Sequence, residues 1–214
     1  IISIDIFATF YQKKIIGGIG ILGDAGIYLC GIKNFAAGLN PYGELNCFGN
    51  TTMSFQYTPL SLIILYPIKY FQLNFFQYVW FTLQIVSIFY IFFYSRIILN
   101  LKINIFHILL ILFGFGGLAF SGITSGNISI ILYGIIIYGI YKLYNNEINY
   151  YCLAIGFISL FKPYLLIFFL PGFVLYKFDF LIYFLKSIIF LIFLHLILFL
   201  LNETLYINYF ELIE

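Results

Sequence analysis

Residues 73–95 limit how this chain can fold more than any other segment, because they include no charged side chain. A helix needs about 20 mostly apolar residues to cross the hydrocarbon core of a bilayer. This segment has that length and composition, so it predicts a membrane-spanning helix. The whole chain is 64% hydrophobic and 8% charged, whereas soluble domains are about 25% charged. We therefore expect an integral membrane protein.

Two more apolar segments, residues 103–120 and 127–141, predict a pair of antiparallel spans. The sequence between them, residues 121–126, is Ser-Gly-Ile-Thr-Ser-Gly. A short run of small and polar residues is typical of a turn. We therefore expect a tight hairpin connection at this point.

Residues 150–176 predict two short or tilted helices instead of one span. Lys162-Pro163 interrupts the apolar sequence, and proline disfavours the helical conformation of the residue before it. Each half would rise only about 21 Å as a helix. We expect the two halves to meet at a polar site within the membrane, and a last span over residues 181–201.

These segments together predict an all-α fold, a polytopic transmembrane helical bundle that forms a single membrane domain over residues 1–214. About six transmembrane or short broken helices are expected in residues 73–201. Residues 1–57 are predicted to be an extracytoplasmic loop region, and residues 202–214 the start of a second one. The chain begins at Ile1, and we interpret it as a fragment that lacks an N-terminal helix.

Residues 58–71 are predicted to be re-entrant or interfacial, because Pro59 and Pro67 interrupt a short apolar stretch. Basic residues collect in short cytoplasmic loops, which indicates a multi-pass protein of the plasma membrane whose N-terminal polar region and Lys162 are extracytoplasmic. This orientation changes if residues 58–71 span the membrane. The basic residues assigned to the cytoplasmic side are Arg96, Lys102, Lys142, Lys177 and Lys186.

Several classes of site are excluded by what the chain lacks. The net charge is +2 and the basic residues are scattered, so no cluster can neutralise the phosphates of a nucleic acid. The three cysteines have no metal-type spacing, although Cys30 and Cys47 could pair in an oxidising compartment. His107 and His195 have no acidic residue at ligand spacing and receive no role. The sequence predicts neither a metal nor another cofactor.

Asp24 is the carboxylate that stands out in the N-terminal region. It lies between apolar residues on both sides, so we expect it near the membrane surface, where an ionisable group is costly and often functional. Aspartate is also a favoured N-cap. From its neighbours alone, capping of a helix that starts at Ala25 is the stronger interpretation.

A series of motifs resembles one enzyme family, the polyprenol-phosphate-sugar-dependent mannosyltransferases of glycosyltransferase family 87. The resemblance extends from Gly23 to Tyr176. Asn127 and Ser129 depart from it, because the family pattern has Gln and Asn at those positions. The matching motifs, in order, are Gly23-Asp24 with Tyr28, Gly38-x-Asn40-Pro41-Tyr42, Phe55-x-Tyr57-x-Pro59-Leu60, Gly126-Asn127-Ile128-Ser129 and Lys162-Pro163.

The resemblance implies a GT-C architecture and an inverting transfer of a sugar, mannose by analogy, from a polyprenyl phosphate to a lipid or glycan acceptor. Asp24 matches the acidic position of the family and is the predicted general base. Lys162 is the predicted contact to the lipid phosphate, although it could also snorkel to the headgroups. The other predicted substrate-binding residues are Tyr28, Asn40, Tyr42 and Asn127.

Two other functions remain open from the sequence. A transporter or lipid flippase would also place broken helices at membrane depth, but the two halves of the chain share no spaced motif. A structural or assembly subunit would need no polar site.

The predicted sugar contacts of Asn40 and Tyr42 also have an alternative, because the Asn40 to Gly43 sequence is typical of a plain turn.

Overall fold

The computed structural model describes residues 22–45, 54–100 and 118–213. Every regular element in these ranges is a helix, as the sequence predicted. Cys47, Lys102, His107 and most of the predicted span 103–120 lie outside the described residues. The helices in chain order are α1 (Gly23–Ala36), α2 (Pro59–Leu65), a 3₁₀ helix (Tyr66–Tyr70), α3 (Leu73–Leu99), α4 (Leu118–Ser125), α5 (Ser129–Tyr144), α6 (Ile148–Ser159), a second 3₁₀ helix (Pro163–Phe169), α7 (Leu170–Leu201) and α8 (Glu203–Ile213).

The chain divides into two compact units. Among the described residues, the first unit comprises 22–45, 54–55, 66–86 and 118–130, and the second comprises 56–65, 87–100 and 131–213. The predicted site residues are divided between them. The first unit contains Asp24, Tyr28, Asn40, Tyr42 and Asn127, and the second contains Lys162.

Two helical stretches in the described part of the chain are long and apolar enough to cross a membrane. They are Leu73–Leu99 and Pro163–Leu201, with mean hydropathies of 1.7 and 2.7. Only 6% and 11% of their most apolar windows are buried within the protein, unlike the core helix of a soluble protein. The predicted helix over residues 73–95 is confirmed and extends to Leu99.

Helix α7 changes direction at Lys177, which has φ 49° and ψ −122°. The rings of Phe169 and Phe184 have centroids 5.1 Å apart, whereas a straight helix would separate these positions by about 22 Å. The chain therefore folds back at Lys177. This agrees with the connection predicted between residue 176 and the last span.

The predicted break at Lys162-Pro163 is confirmed. Helix α6 ends at Ser159, and Lys162 is extended with φ −133° and ψ 95° before the 3₁₀ helix that begins at Pro163. Proline at the first helical position and an extended residue before it are the local preferences expected from the ring of proline.

Within the segment predicted to be an extracytoplasmic loop region, residues 1–57, the structure describes helix α1, which has a largely buried sequence and begins at Gly23, two residues before the start expected at Ala25. The helix forms although glycine has a low helix propensity. At Gly31 a Cβ would lie 2.8 Å from the ring of Phe55. The small residue therefore allows a contact that a larger one would block.

The turn predicted over residues 121–126 is also wrong, because α4 continues through Ser125. Thr124 Oγ1 donates to Ser121 O at 3.0 Å, and Ser125 Oγ donates to Gly122 O at 3.1 Å. Such bonds to the preceding turn satisfy the hydroxyls within the helix. The change of direction comes at Gly126, where φ is +80°.

In the segment predicted to begin a second extracytoplasmic loop, residues 202–214, the structure describes helix α8. Leu205 and Tyr206 are its buried residues, and Tyr206 O–H lies 2.6 Å from His195 Nδ1. Burial of the Tyr206 ring raises the pKa of its hydroxyl to about 12. The contact joins helix α8 to helix α7.

Candidate functional site

Asp24 lies in the first turn of α1 and is half-buried. The N-cap of this helix is Leu22, at φ 67°, with no side-chain capping bond, so the predicted capping role of Asp24 is wrong. A carboxylate in the first turn is stabilised by the partial positive charge of the helix N-terminus.

Asn127 holds the Asp24 carboxylate from the connection between α4 and α5. Its Nδ2 donates to Asp24 Oδ2 at 3.2 Å, and its Oδ1 accepts the N–H of Ser129 at 2.9 Å. The second bond satisfies one of the unpaired N–H groups at the start of α5. One short side chain thus caps a helix and orients an acid.

We call Gly126, Asn127 and Ile128 the α4–α5 junction. Its approach to the start of α1 depends on Gly126, where a Cβ would lie 3.1 Å from Leu22 Cα and 3.2 Å from Ala25 N. The N–H of Leu22 donates to Thr124 O at 2.7 Å. Only glycine combines the positive φ with this close backbone contact.

Tyr28 is buried one helical turn after Asp24. Its hydroxyl accepts the N–H of Ile128 at 3.2 Å, and its ring centroid lies 5.2 Å from that of Trp80. In this conformation the phenol stabilises the α4–α5 junction. Its predicted contact with a sugar stays a prediction.

Asn40 and Tyr42 form the predicted turn, as Asn40 Oδ1 accepts the N–H of Tyr42 at 2.9 Å. Tyr42 is buried with its ring 6.1 Å from that of Phe55, whereas Asn40 is exposed. The turn interpretation is therefore confirmed. Of the two side chains, Asn40 is the one accessible to a ligand here.

Lys162, in the second unit, is half-buried at the extended residue before the 3₁₀ helix. Its Nζ lies 5.6 Å from the ring centroid of Tyr57 and 5.9 Å from that of Tyr164. Distances below about 6 Å allow a cation–π attraction. The ammonium therefore lies within cation–π range of both rings.

Sequence reasoning missed Trp80 and Gln84 on α3. Trp80 Nε1 donates to Gly126 O at 2.7 Å, and Gln84 Nε2 donates to Asn127 O at 3.0 Å and to Gly122 O at 3.4 Å. Four residues apart, the two side chains share one face of the helix. The amide of Gln84 within an uncharged apolar segment could have indicated this contact, because polar residues in such segments usually face the protein interior.

Two of the three cysteines lie within the described residues, and they differ in state. Cys30 on α1 is disulfide-bonded, and Cys47, the partner considered from the sequence, lies outside the described residues. Cys152 is free and buried.

No protein-family model, curated protein or solved structure matches the chain. The likeness to glycosyltransferase family 87 therefore depends on the order of the motifs alone.

Proposed function

We propose that this chain belongs to a multi-pass membrane glycosyltransferase, with its site on the extracytoplasmic side of the plasma membrane and Asp24 as general base. The observation that carries the proposal is the hydrogen bond from Asn127 to Asp24, which orients a half-buried carboxylate. Two motif positions that are 103 residues apart in sequence meet in this contact. Their meeting is what a shared site requires.

The proposed reaction transfers a sugar, with mannose as the first candidate, from polyprenyl phosphate to a hydroxyl of a lipid or glycan. The acceptor oxygen forms a bond to the anomeric carbon while the bond from that carbon to the phosphate oxygen breaks. Asp24 takes the hydroxyl proton, and polyprenyl phosphate leaves with the bonding electrons. A positioned base of this kind contributes about 10² to 10⁴ in rate.

Lys162 is proposed to contact the lipid phosphate. Its place beside a helix break supports this role, because irregular backbone at membrane depth is tolerated where it lines a cavity or a polar site. The aromatic rings of Tyr57 and Tyr164 near its Nζ would limit its motion. Asn40, exposed beside Tyr42, is the proposed contact to a sugar hydroxyl.

The first experiment is transfer of radiolabel from polyprenyl-phosphate mannose in membranes that express the full-length protein. We expect labelled acceptor and free polyprenyl phosphate in equal amounts, well above membranes from cells carrying the empty vector. Equal label in both membranes, tested also with polyprenyl-phosphate glucose, would contradict the proposal. Movement of the intact labelled lipid across the bilayer would instead favour the flippase alternative.

A further inference from the structure

Gln84 is fully buried in the middle of α3, a helix otherwise suited to the membrane interior. Only the NH₂ end of its amide can donate to the two carbonyl oxygens that it contacts. This fixes the orientation of the amide. Gln84 Oε1 is then left buried, and it has no hydrogen-bond partner among the described residues.

An unpartnered buried acceptor costs free energy. Methionine or leucine would fill a similar volume without that cost. The chain nevertheless has an amide at this position. The two hydrogen bonds that Nε2 donates are therefore what offsets the cost of the unpartnered oxygen. The shorter of these two bonds, at 3.0 Å, goes to the backbone carbonyl of Asn127.

Asn127 links Gln84 to Asp24. Gln84 fixes the Asn127 backbone through its carbonyl, and the Asn127 side chain donates to Asp24 Oδ2 at 3.2 Å. Trp80, on the same face of α3, holds the preceding carbonyl of Gly126 at 2.7 Å. Two donors from one helix therefore set the position of the amide that orients the carboxylate.

We propose that Gln84 is a positioning residue for Asp24 and acts through Asn127. Its meaning for catalysis rests on the proposed function, but the positioning itself can be measured without any reaction. Tyr28, which accepts a bond from Ile128, is the titratable group that shares the junction with Asp24.

The test is a titration of aspartate carboxyl groups by ¹³C NMR on the full-length protein in detergent micelles. The sequence has three aspartates, Asp5, Asp24 and Asp179, so Asp24→Asn assigns the signal. Gln84→Met should move the Asp24 midpoint upward by roughly 0.5 on the pH scale, because losing a donor to a carboxylate favours its protonated form. Gln72→Met, at an exposed glutamine in the same unit, should leave it unchanged.

Two further variants separate positioning from general damage. Gln84→Asn keeps an amide but shortens it, so it should move the midpoint in the same direction even if Gln84→Met folds poorly. Asn127→Ala should also raise the midpoint, and Gln84→Met should add nothing in that background. An unchanged midpoint in Gln84→Met and Gln84→Asn, or additive shifts with Asn127→Ala, would overturn the proposal.

This result is distinguishable from failure of the proposed function. Normal sugar transfer by Asp24→Asn would remove Asp24 from the chemistry and leave the titration result intact. Loss of transfer in Asp24→Asn, with no NMR shift in the Gln84 variants, would remove only the positioning role.

Discussion

Replacing Gly126 by alanine tests whether the close approach of the α4–α5 junction to α1 holds the candidate site together. The new Cβ would lie 3.1 Å from Leu22 Cα and 3.2 Å from Ala25 N. Both are backbone atoms, so no flexible side chain can move aside. The site must open if the new methyl group is to be accommodated.

The magnitude follows from two contributions. Gly126 has φ +80°, a region that costs a residue with a Cβ about 1–2 kcal/mol. Overpacking against fixed atoms adds about 1–3 kcal/mol. We therefore expect Gly126→Ala to lower the free energy of unfolding by about 2–5 kcal/mol.

Gly38 is a matched control, because it has φ +73° but no atom within 4 Å of the place that a Cβ would occupy. Gly38→Ala should lower the free energy of unfolding by only about 1–2 kcal/mol. The assay is reversible unfolding in mixed micelles, followed by helical circular dichroism. Equal losses in the two variants would refute the idea that the junction contacts α1 closely.

Two further predictions concern packing and charge. Gly31→Ala should lower the free energy of unfolding by about 1–3 kcal/mol, because its Cβ would lie 2.8 Å from the Phe55 ring. Adding Phe55→Leu should recover part of this loss in the same unfolding assay. A double variant with no recovery would contradict the contact. In the second unit, a hydrogen bond from Lys142 to Glu147 raises the pKa of the Lys142 ammonium, and the two groups are 2.9 Å apart. The stabilisation from this pair is complete below the ordinary lysine pKa of about 10.4 and is lost as the pH rises through the raised value. Glu147→Gln should therefore reduce stability slightly at about pH 8 and have no effect above about pH 12, whereas the same difference at both pH values would contradict the assignment.

Breaks and spans could be predicted from the sequence because they depend on local chemistry. Proline at residue 163 restricts Lys162 whatever surrounds it, and the uncharged apolar run after residue 73 is long enough to form a helix that can cross a bilayer. The reversal at Lys177 was predicted for a similar reason, since a charge interrupts two apolar stretches. These features need no knowledge of tertiary contacts.

The sequence suggested a helix that starts close to Asp24, but it did not predict how this helix packs. Gly23, Gly26 and Gly31 lower the helix propensity of α1. The structure shows that Gly31 allows the close approach of Phe55, and the sequence alone does not reveal this contact. Likewise, the sequence from Ser121 to Ser125 is typical of a turn, but in the structure its hydroxyls donate to carbonyls of the preceding helical turn. Tertiary packing overrides local preference in α1, whereas α4 is stabilised by hydrogen bonds within the helix itself.

The candidate site was predicted in part. The motif order identified Asp24 and Asn127, and the structure brings these two side chains into contact. Nothing in their own sequence indicates that Gln84, far from either along the chain, holds the Asn127 carbonyl. Long-range hydrogen bonds of this kind follow from the fold and not from a motif.

The most direct test of the proposed chemistry is sugar transfer by Asp24→Asn compared with Asp179→Asn, which removes the same charge at an exposed position on α7. Membranes with matched amounts of each variant would receive radiolabelled polyprenyl-phosphate mannose. We predict that Asp24→Asn loses transfer by about 100-fold or more, while Asp179→Asn transfers at the wild-type rate. Wild-type transfer by Asp24→Asn would contradict the assignment of Asp24 as the base.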